Sequence, residues 1–234
     1  MVSNQVHPTV IPTDTRMEAF SRLKSSGFRL EDEDWSEADT RSKLIDCLLK
    51  ESLGWQEDDI RRELSNDKNR LDYRLSTVTP IVVVEAKRAT VSLGTTKRLP
   101  HKRVSLDSLL KTAPDLIEHV QQVATYCQSW STPFAVLTIG AIYIAFVGCR
   151  TDGRPWRDGD ALVFDILHAE FRFPVLADIL CREAVASGSL ERELLGDRQA
   201  PKAKSVLQTL DDPDAPVPPN PLADMLDPMG QCHS

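Results

Sequence analysis

The chain has 234 residues, 41% hydrophobic and 27% charged, with a formal net charge of −7. That length carries one well-buried domain with appendages, or two small domains, and the composition is that of an ordinary soluble globular protein. The longest nearly uncharged apolar run, Phe134 to Cys149, holds a glycine and falls short of 18 residues, which excludes a membrane-span reading.

The N-terminus, MVSNQVHPTVIPTDTR, lacks the basic start and apolar centre of a secretory signal. Five cysteines (47, 127, 149, 181, 232) form no CxxC pair, which excludes a zinc ribbon and points to reduced thiols in a cytoplasm. The negative total conceals an uneven distribution. Residues 61–130 carry 12 basic and 7 acidic side chains, while both flanks are acidic. A phosphate backbone could be held by that middle third, although charge scatter gives the same modest excess.

In chain order, residues 1–14 read as loose, and a short helix is predicted from about Thr15 to Ser26, stopped by Gly27. After the acidic stretch Glu31–Asp34, a second helix starts at the cap Ser36, with Leu44, Ile45, Leu48, Leu49 and Leu53 at helical spacing, and ends at Gly54. Ile60–Leu64, Arg70–Ser76 and Ile81–Lys87 read as strands; the second alternates Leu71, Tyr73 and Leu75 against Arg70, Asp72 and Arg74. The run Ile81-Val82-Val83-Val84 suits a strand covered on both faces. Residues 88–113, with Arg88, Lys97, Arg98, His101, Lys102 and Arg103, read as a basic loop or inserted element.

Pro114 opens a helix with the stripe Leu116, Ile117, Val120, Val123, Ala124 and Cys127. Strands Phe134–Ile139 and Ile142–Gly148, a loop at 150–160, a strand near Leu162–Leu167 and a helix near Phe173–Ala186 complete the globular part. Residues 197–234, including DDPDAPVPPNP, read as a linker or disordered tail.

The chemistry is carried by the middle strands. A symmetric four-residue loop from Thr77 to Pro80 sets Asp72 opposite Glu85, with β-carbons about 4.5–5.5 Å apart, and puts Lys87 on the Glu85 face. Two like charges opposite one another beside an apolar strand need a compensating cation. Mg²⁺ or Mn²⁺, which take oxygen ligands, fit that requirement, and Lys87 beside the ion could orient an attacking water. By itself a D…ExK spacing is most often a surface ion pair, but an exposed pair needs no apolar approach strand. Glu37 at the first helical position either complements the helix dipole or adds a third acid. His119, Gln122 and Tyr126 form a polar facet that solvent alone could explain, and Glu63 reads as a surface charge at a strand end.

Taken together, SEADTRSKLIDCLLKESLGW, RRELSNDKNRLDYRL, IVVVEAKR, QQVATYC and FAVLTIGAIYIAFV resemble the N-terminal nuclease domain of type I restriction enzyme restriction subunits. That family is part of the PD-(D/E)xK nuclease superfamily, and the likeness covers residues 36–148 in order. It implies an α/β, restriction-endonuclease-like core: a central mixed sheet with an antiparallel hairpin, flanked by helices, over 36–196. Residue by residue, Glu37 matches the acid on the first helix, Asp72 the metal-binding aspartate, and Glu85 and Lys87 the ends of the ExK motif. The backbone carbonyl of Ala86 joins Asp72, Glu85 and Glu37 in the implied metal set. Gln122 and Tyr126 match the family's QxxxY motif, with Arg88, Lys97, Arg98, Lys102 and Arg103 as candidate nucleic-acid contacts.

The chain departs from the pattern in having Leu71 before the aspartate instead of proline. It also has 34 residues between Lys87 and Gln122, which implies an insertion at about 90–112. It has no GxxxxGK[ST] motif, so it is not a complete restriction subunit.

The expectation is a Mg²⁺- or Mn²⁺-dependent DNA endonuclease of a restriction or antiviral defence system, with a partner subunit or fused domain. The competing reading is a nucleic-acid-binding or protein-docking module that keeps the fold without useful catalysis. RNA as substrate is a third possibility.

Overall fold

The structure is a computed structural model that describes residues 12–25, 38, 41–65, 70–87, 101–139 and 141–196. Its centre is a seven-stranded mixed sheet with helices on both faces, so the chain is α/β. The strands are β1 (Ile60–Ser65), β2 (Arg70–Ser76), β3 (Pro80–Lys87), β4 (His101–Ser105), β5 (Phe134–Ile139), β6 (Ile142–Val147) and β7 (Asp160–Asp165), in the order β1-β2-β3-β5-β6-β7-β4. Only β3 and β5 are parallel neighbours; every other pair is antiparallel. A parallel pair needs a crossover, and the helix Leu116–Ser129 lies within the segment that returns the chain from β3 to β5.

The helices among the described residues include α1 (Thr13–Ser25); α2, two wide π-type turns Arg41–Ile45 and Leu48–Ser52; α3 (Leu106–Thr112); α4 (Leu116–Ser129); α5 (Phe173–Leu180); and α6 (Arg182–Ala186). One face of the sheet packs on α1, α2 and α5 through Phe20, Leu44, Leu48 and Leu176, against Tyr73, Val82, Val84 and Val136. The other packs on α3 and α4 through Leu106, Leu110, Val120 and Val123, against Val83, Ala135, Leu137 and Ile144. Being covered on both sides explains the unbroken apolar runs of β3, β5 and β6.

Several expectations change. Residues 101–112 are not a loop: β4 is an edge strand on β7, with His101 facing Phe164 and Ser105 facing Asp160, and α3 follows at once. The basic composition masked two patterns. Residues 101–105 alternate between exposed and half-buried, as a polar edge strand does, and the Ser105 hydroxyl caps α3 by accepting from the Ser108 N–H at 3.5 Å. The helix expected over Phe173–Ala186 breaks at Cys181, whose extended backbone (ψ 154°) separates α5 from α6. The last strand ends two residues early because the Asp165 carboxylate takes the Leu167 N–H at 3.2 Å and turns the chain. The start of the second helix at Ser36, the residues 1–11 and 26–35, and the tail 197–234 lie outside the described residues.

Gly54 ends α2 as expected, with φ +74°, and its α-carbon lies under the Arg16 guanidinium, which is paired with Glu183 through two 2.8 Å bonds. A β-carbon there would come within 2.6 Å of Arg16 Nη2. Gly54→Ala is therefore expected to destabilise the fold by about 2 kcal/mol, combining the left-handed backbone with displacement of that ion pair. Urea unfolding measures this, and a loss below about 0.5 kcal/mol would show that the contact relaxes freely.

Cys47, Cys127, Cys149 and Cys181 are free thiols, of which only Cys127 is buried where mostly buried thiols were expected, and Cys232 is outside the described residues. Among the described residues no helix is long and apolar enough to cross a membrane.

Candidate metal and catalytic site

The β2–β3 hairpin pairs Tyr73 with Val84, Arg74 with Val83 and Leu75 with Val82, which is the register expected from the sequence. It reaches that register differently. The turn is the three residues Thr77–Thr79, and an irregularity after Leu75 brings Ser76 opposite Pro80. Continuing the register sets Asp72 opposite Glu85, but the backbone ladder stops one pair earlier, at Tyr73–Val84. Beyond it each strand stays paired only on its outer side, β2 with β1 through Leu71 and Leu64, and β3 with β5 through Glu85 and Leu137. The sheet is forked at this point.

Asp72 and Glu85 fill the fork. Each carboxylate takes a backbone N–H from the opposite strand: Ala86 N–H donates to Asp72 Oδ2 at 2.9 Å, and Asp72 N–H to Glu85 Oε2 at 3.4 Å. Side-chain bonds thus replace the missing ladder bonds, which satisfies backbone groups that would otherwise be orphaned in a buried place. The strand rotates to do this. Leu71 packs in the α4 layer and Tyr73, two residues on, in the opposite layer, so the strict alternation expected for β2 fails at Asp72. Asp72 and Glu85 are 7% and 4% exposed.

Each acid carries a base. Lys87 Nζ donates to Glu85 Oε1 at 2.8 Å, two residues on along β3 and on the same face. The Arg41 guanidinium of α2 donates to Asp72 Oδ1. Burial, followed by the adjacent Asp72 charge, pushes the Glu85 carboxyl up to about 7, and the bond from Lys87 only partly opposes this. Glu85 shares its face with Val83, so it looks toward the α4 layer. There Gln122 Nε2 donates to the Tyr126 hydroxyl at 2.6 Å. Burial raises the Tyr126 phenol most, the Gln122 bond lowers it, and it feels the Glu85 and Asp72 carboxylates and the Lys87 ammonium. The i, i+4 pair on α4 is thereby placed beside the fork.

The remaining sequence candidates separate. Glu37, Arg88, Lys97 and Arg98 lie outside the described residues. Lys102 lies in the same sheet row as Glu85, through Leu137, Ile144 and Val163, but four strands away, or about 19 Å at the usual interstrand spacing. Arg103 is held by Asp160 at 3.0 Å on the β7 side.

Arg41 was missed, and Glu63 was read only as a surface charge. Arg41 lies three, four and seven positions before Leu44, Ile45 and Leu48, and a cation on an apolar helical stripe was the readable signal for a buried acidic partner. Glu63 carries a left-handed backbone, φ +51°, in the middle of β1, for which the sequence holds no signal.

The donor set suits a hard cation. Two buried carboxylates from neighbouring strands offer oxygen only, with no thiolate or imidazole, and Mg²⁺ is commonly held by one or two carboxylates plus water. Among the described residues no group of three or more His, Cys, Asp or Glu side chains converges on one point. The expected fourth group, the Ala86 carbonyl, belongs to the residue whose N–H already binds Asp72, so its peptide lies at the fork. Compared with protein-family models, with curated proteins and with solved structures, the chain gives no match in any of the three.

Proposed function

We propose that the chain is a divalent-metal-dependent endonuclease that hydrolyses phosphodiester bonds in DNA, with Asp72 and Glu85 as metal ligands and Lys87 as the catalytic base partner. The observation that carries this reading is the fork: a β-ladder that stops at Tyr73–Val84, its opening filled by two buried carboxylates with a lysine on the second. A structural ion pair has no need of a broken ladder. On this reading the sheet and its flanking helices form a restriction-endonuclease-like core, acting within a restriction or antiviral defence assembly.

A bound Mg²⁺ or Mn²⁺ supplies Lewis-acid polarisation of the phosphate and a lowered water pKa. The protein does the rest. Asp72 and Glu85 would hold the ion, with Ala86 and Glu37 as the further ligands that the family resemblance implies. The Lys87 ammonium, 16% exposed at its side chain, presents donors to an attacking water or a phosphate oxygen on the solvent side of Glu85. Gln122 and Tyr126, bonded to each other on α4 beside the fork, take the supporting or DNA-contacting role that the family resemblance implies. Lys102, in the Glu85 row, serves a phosphate remote from the cut, and Arg103, tied to Asp160, contributes less. Arg88, Lys97 and Arg98 retain their proposed role as backbone contacts.

One observation favours the alternative of a binding module with little catalysis: Arg41 and Lys87 already neutralise both carboxylates without a metal. The two readings diverge on a substrate panel. Plasmid, linear and single-stranded DNA, and RNA, are incubated with Mg²⁺, Mn²⁺ or chelator. Metal-dependent cutting of DNA is expected. Binding of DNA with no cutting in either metal would establish the module instead.

A further inference from the structure

Arg41 joins more than Asp72. Its Nη1 donates to Asp72 Oδ1, while its Nη2 lies 3.7 Å from Glu63 Oε1, and the same Glu63 oxygen takes Arg70 Nη2 at 3.0 Å. Glu63 is flanked by the pairs Arg62–Tyr73 and Leu64–Leu71, so it falls opposite Asp72 on β1. The left-handed backbone at Glu63 is uncommon for a residue with a side chain, and rarer still within a strand. Three carboxylates therefore stand in one row, Glu63, Asp72 and Glu85, with Arg41 between the first two and Lys87 on the third. Side-chain exposure falls along that row from 54% at Glu63 to 8% at Asp72 and 5% at Glu85.

We propose that Arg41 is a positioning residue that occupies Asp72 as an internal counter-ion until a divalent cation enters, and that Glu63 then receives it. The inference rests on the metal-dependent reading above. The geometry gives the motion a short path. Nη2 needs to approach Glu63 by only about 1 Å to reach a normal charged hydrogen bond, so the guanidinium can exchange one carboxylate for another without leaving its helix. Glu63 is the more exposed acid, so Arg41 moves toward solvent as the ion takes the buried one. In this arrangement Asp72 is never left buried and uncompensated, in either the metal-free or the metal-bound protein.

The test is Mn²⁺ affinity of the full chain, read from free-ion electron paramagnetic resonance and from calorimetry, independently of any cleavage. Arg41→Ala is expected to tighten Mn²⁺ binding about tenfold, the scale on which one adjacent charge shifts a carboxylate equilibrium. Arg41→Gln, which keeps bulk and donors, should do the same, so the result does not depend on one variant folding. Glu63→Gln should weaken Mn²⁺ binding several-fold, because Arg41 loses the Glu63 charge that would receive it and stays on Asp72. In the double variant Arg41→Ala/Glu63→Gln the Glu63 effect should vanish, the signature of action through Arg41.

A merely structural Arg41 predicts the opposite sign, weaker Mn²⁺ binding in both Arg41 variants, and that result overturns the proposal while leaving the metal site standing. An unchanged Glu63 effect in the double variant overturns it too. Absence of Mn²⁺ binding in every variant, wild type included, overturns both the proposal and the nuclease reading.

Discussion

Lys87→Ala is expected to reduce single-turnover DNA cleavage in Mg²⁺ by about 10³-fold, or on the order of 4 kcal/mol of transition-state stabilisation, while leaving the fold intact. The side chain is attached where β3 leaves the core, and its ammonium donates to Glu85 at 2.8 Å. Removing it takes away a donor to the reacting groups without opening a core cavity. Two readouts separate this from general damage. The thermal midpoint of the metal-free protein should move by only a few degrees, and Mn²⁺ affinity should change far less than the rate. Asp72→Asn should behave differently, losing Mn²⁺ binding together with cleavage, because it removes a ligand and the carboxylate charge to which Arg41 donates. Unimpaired cleavage by Lys87→Ala would place the chemistry elsewhere on the molecule.

The second large effect concerns Glu85 and pH. Burial and the neighbouring Asp72 hold its carboxyl at about 7 in the folded, metal-free protein, above its ordinary value of 4.5. Between those two values the folded state binds a proton that the unfolded state has lost, so stability falls as pH rises through that window. Metal-free protein should therefore lose stability between about pH 4.5 and 7 from this group, and Glu85→Gln should abolish that slope. At pH 8 the variant should be the more stable by on the order of 2 kcal/mol. Metal reverses the order, since the ionised carboxylate is the ligand. Mn²⁺ should bind about tenfold more tightly per pH unit up to 7, release close to one proton below it, and stabilise the wild type but not Glu85→Gln. Denaturant titrations at pH 5 and 8, with and without Mn²⁺, measure all of these. A Glu85→Gln variant less stable than wild type at pH 8 without metal would show that the carboxylate is held ionised by Lys87 after all.

Much of the architecture was readable because it is written in period. The β-branched run of β3, the alternation in β2 and the stripe of α4 located three elements within two residues, and the hairpin register followed from them. The pairing of Asp72 with Glu85 was thus legible, but the fork was not. Whether a ladder continues past Tyr73–Val84 depends on side-chain bonds to the opposite backbone, and a two-residue pattern carries no trace of them. The same applies to the switch of layers between Leu71 and Tyr73, which are equivalent by alternation and separated by the twist at Asp72.

Composition misled at residues 101–112, where basic and polar content left a loop open as an alternative to an inserted element. An edge strand is polar for its own reasons, and Ser105 followed by Leu106, Leu109 and Leu110 is a capped helix of ordinary spacing. Arg41 has no sequence neighbour that marks it as part of the site. Its acid lies 31 residues away and becomes a neighbour only when α2 packs beside β2. Two facing carboxylates can be inferred from strand register alone, whereas the arginine that pairs with one of them requires the tertiary fold.

The measurement closest to the central claim is the position of a bound ion. Crystals of the protein soaked in Mn²⁺ at pH 8 are expected to show one strong anomalous peak in the fork, coordinated by the Asp72 and Glu85 carboxylates, with Lys87 alongside and Arg41 drawn toward Glu63. An empty fork under conditions in which the protein cuts DNA, or a peak bound by other residues, would contradict the assignment of this site.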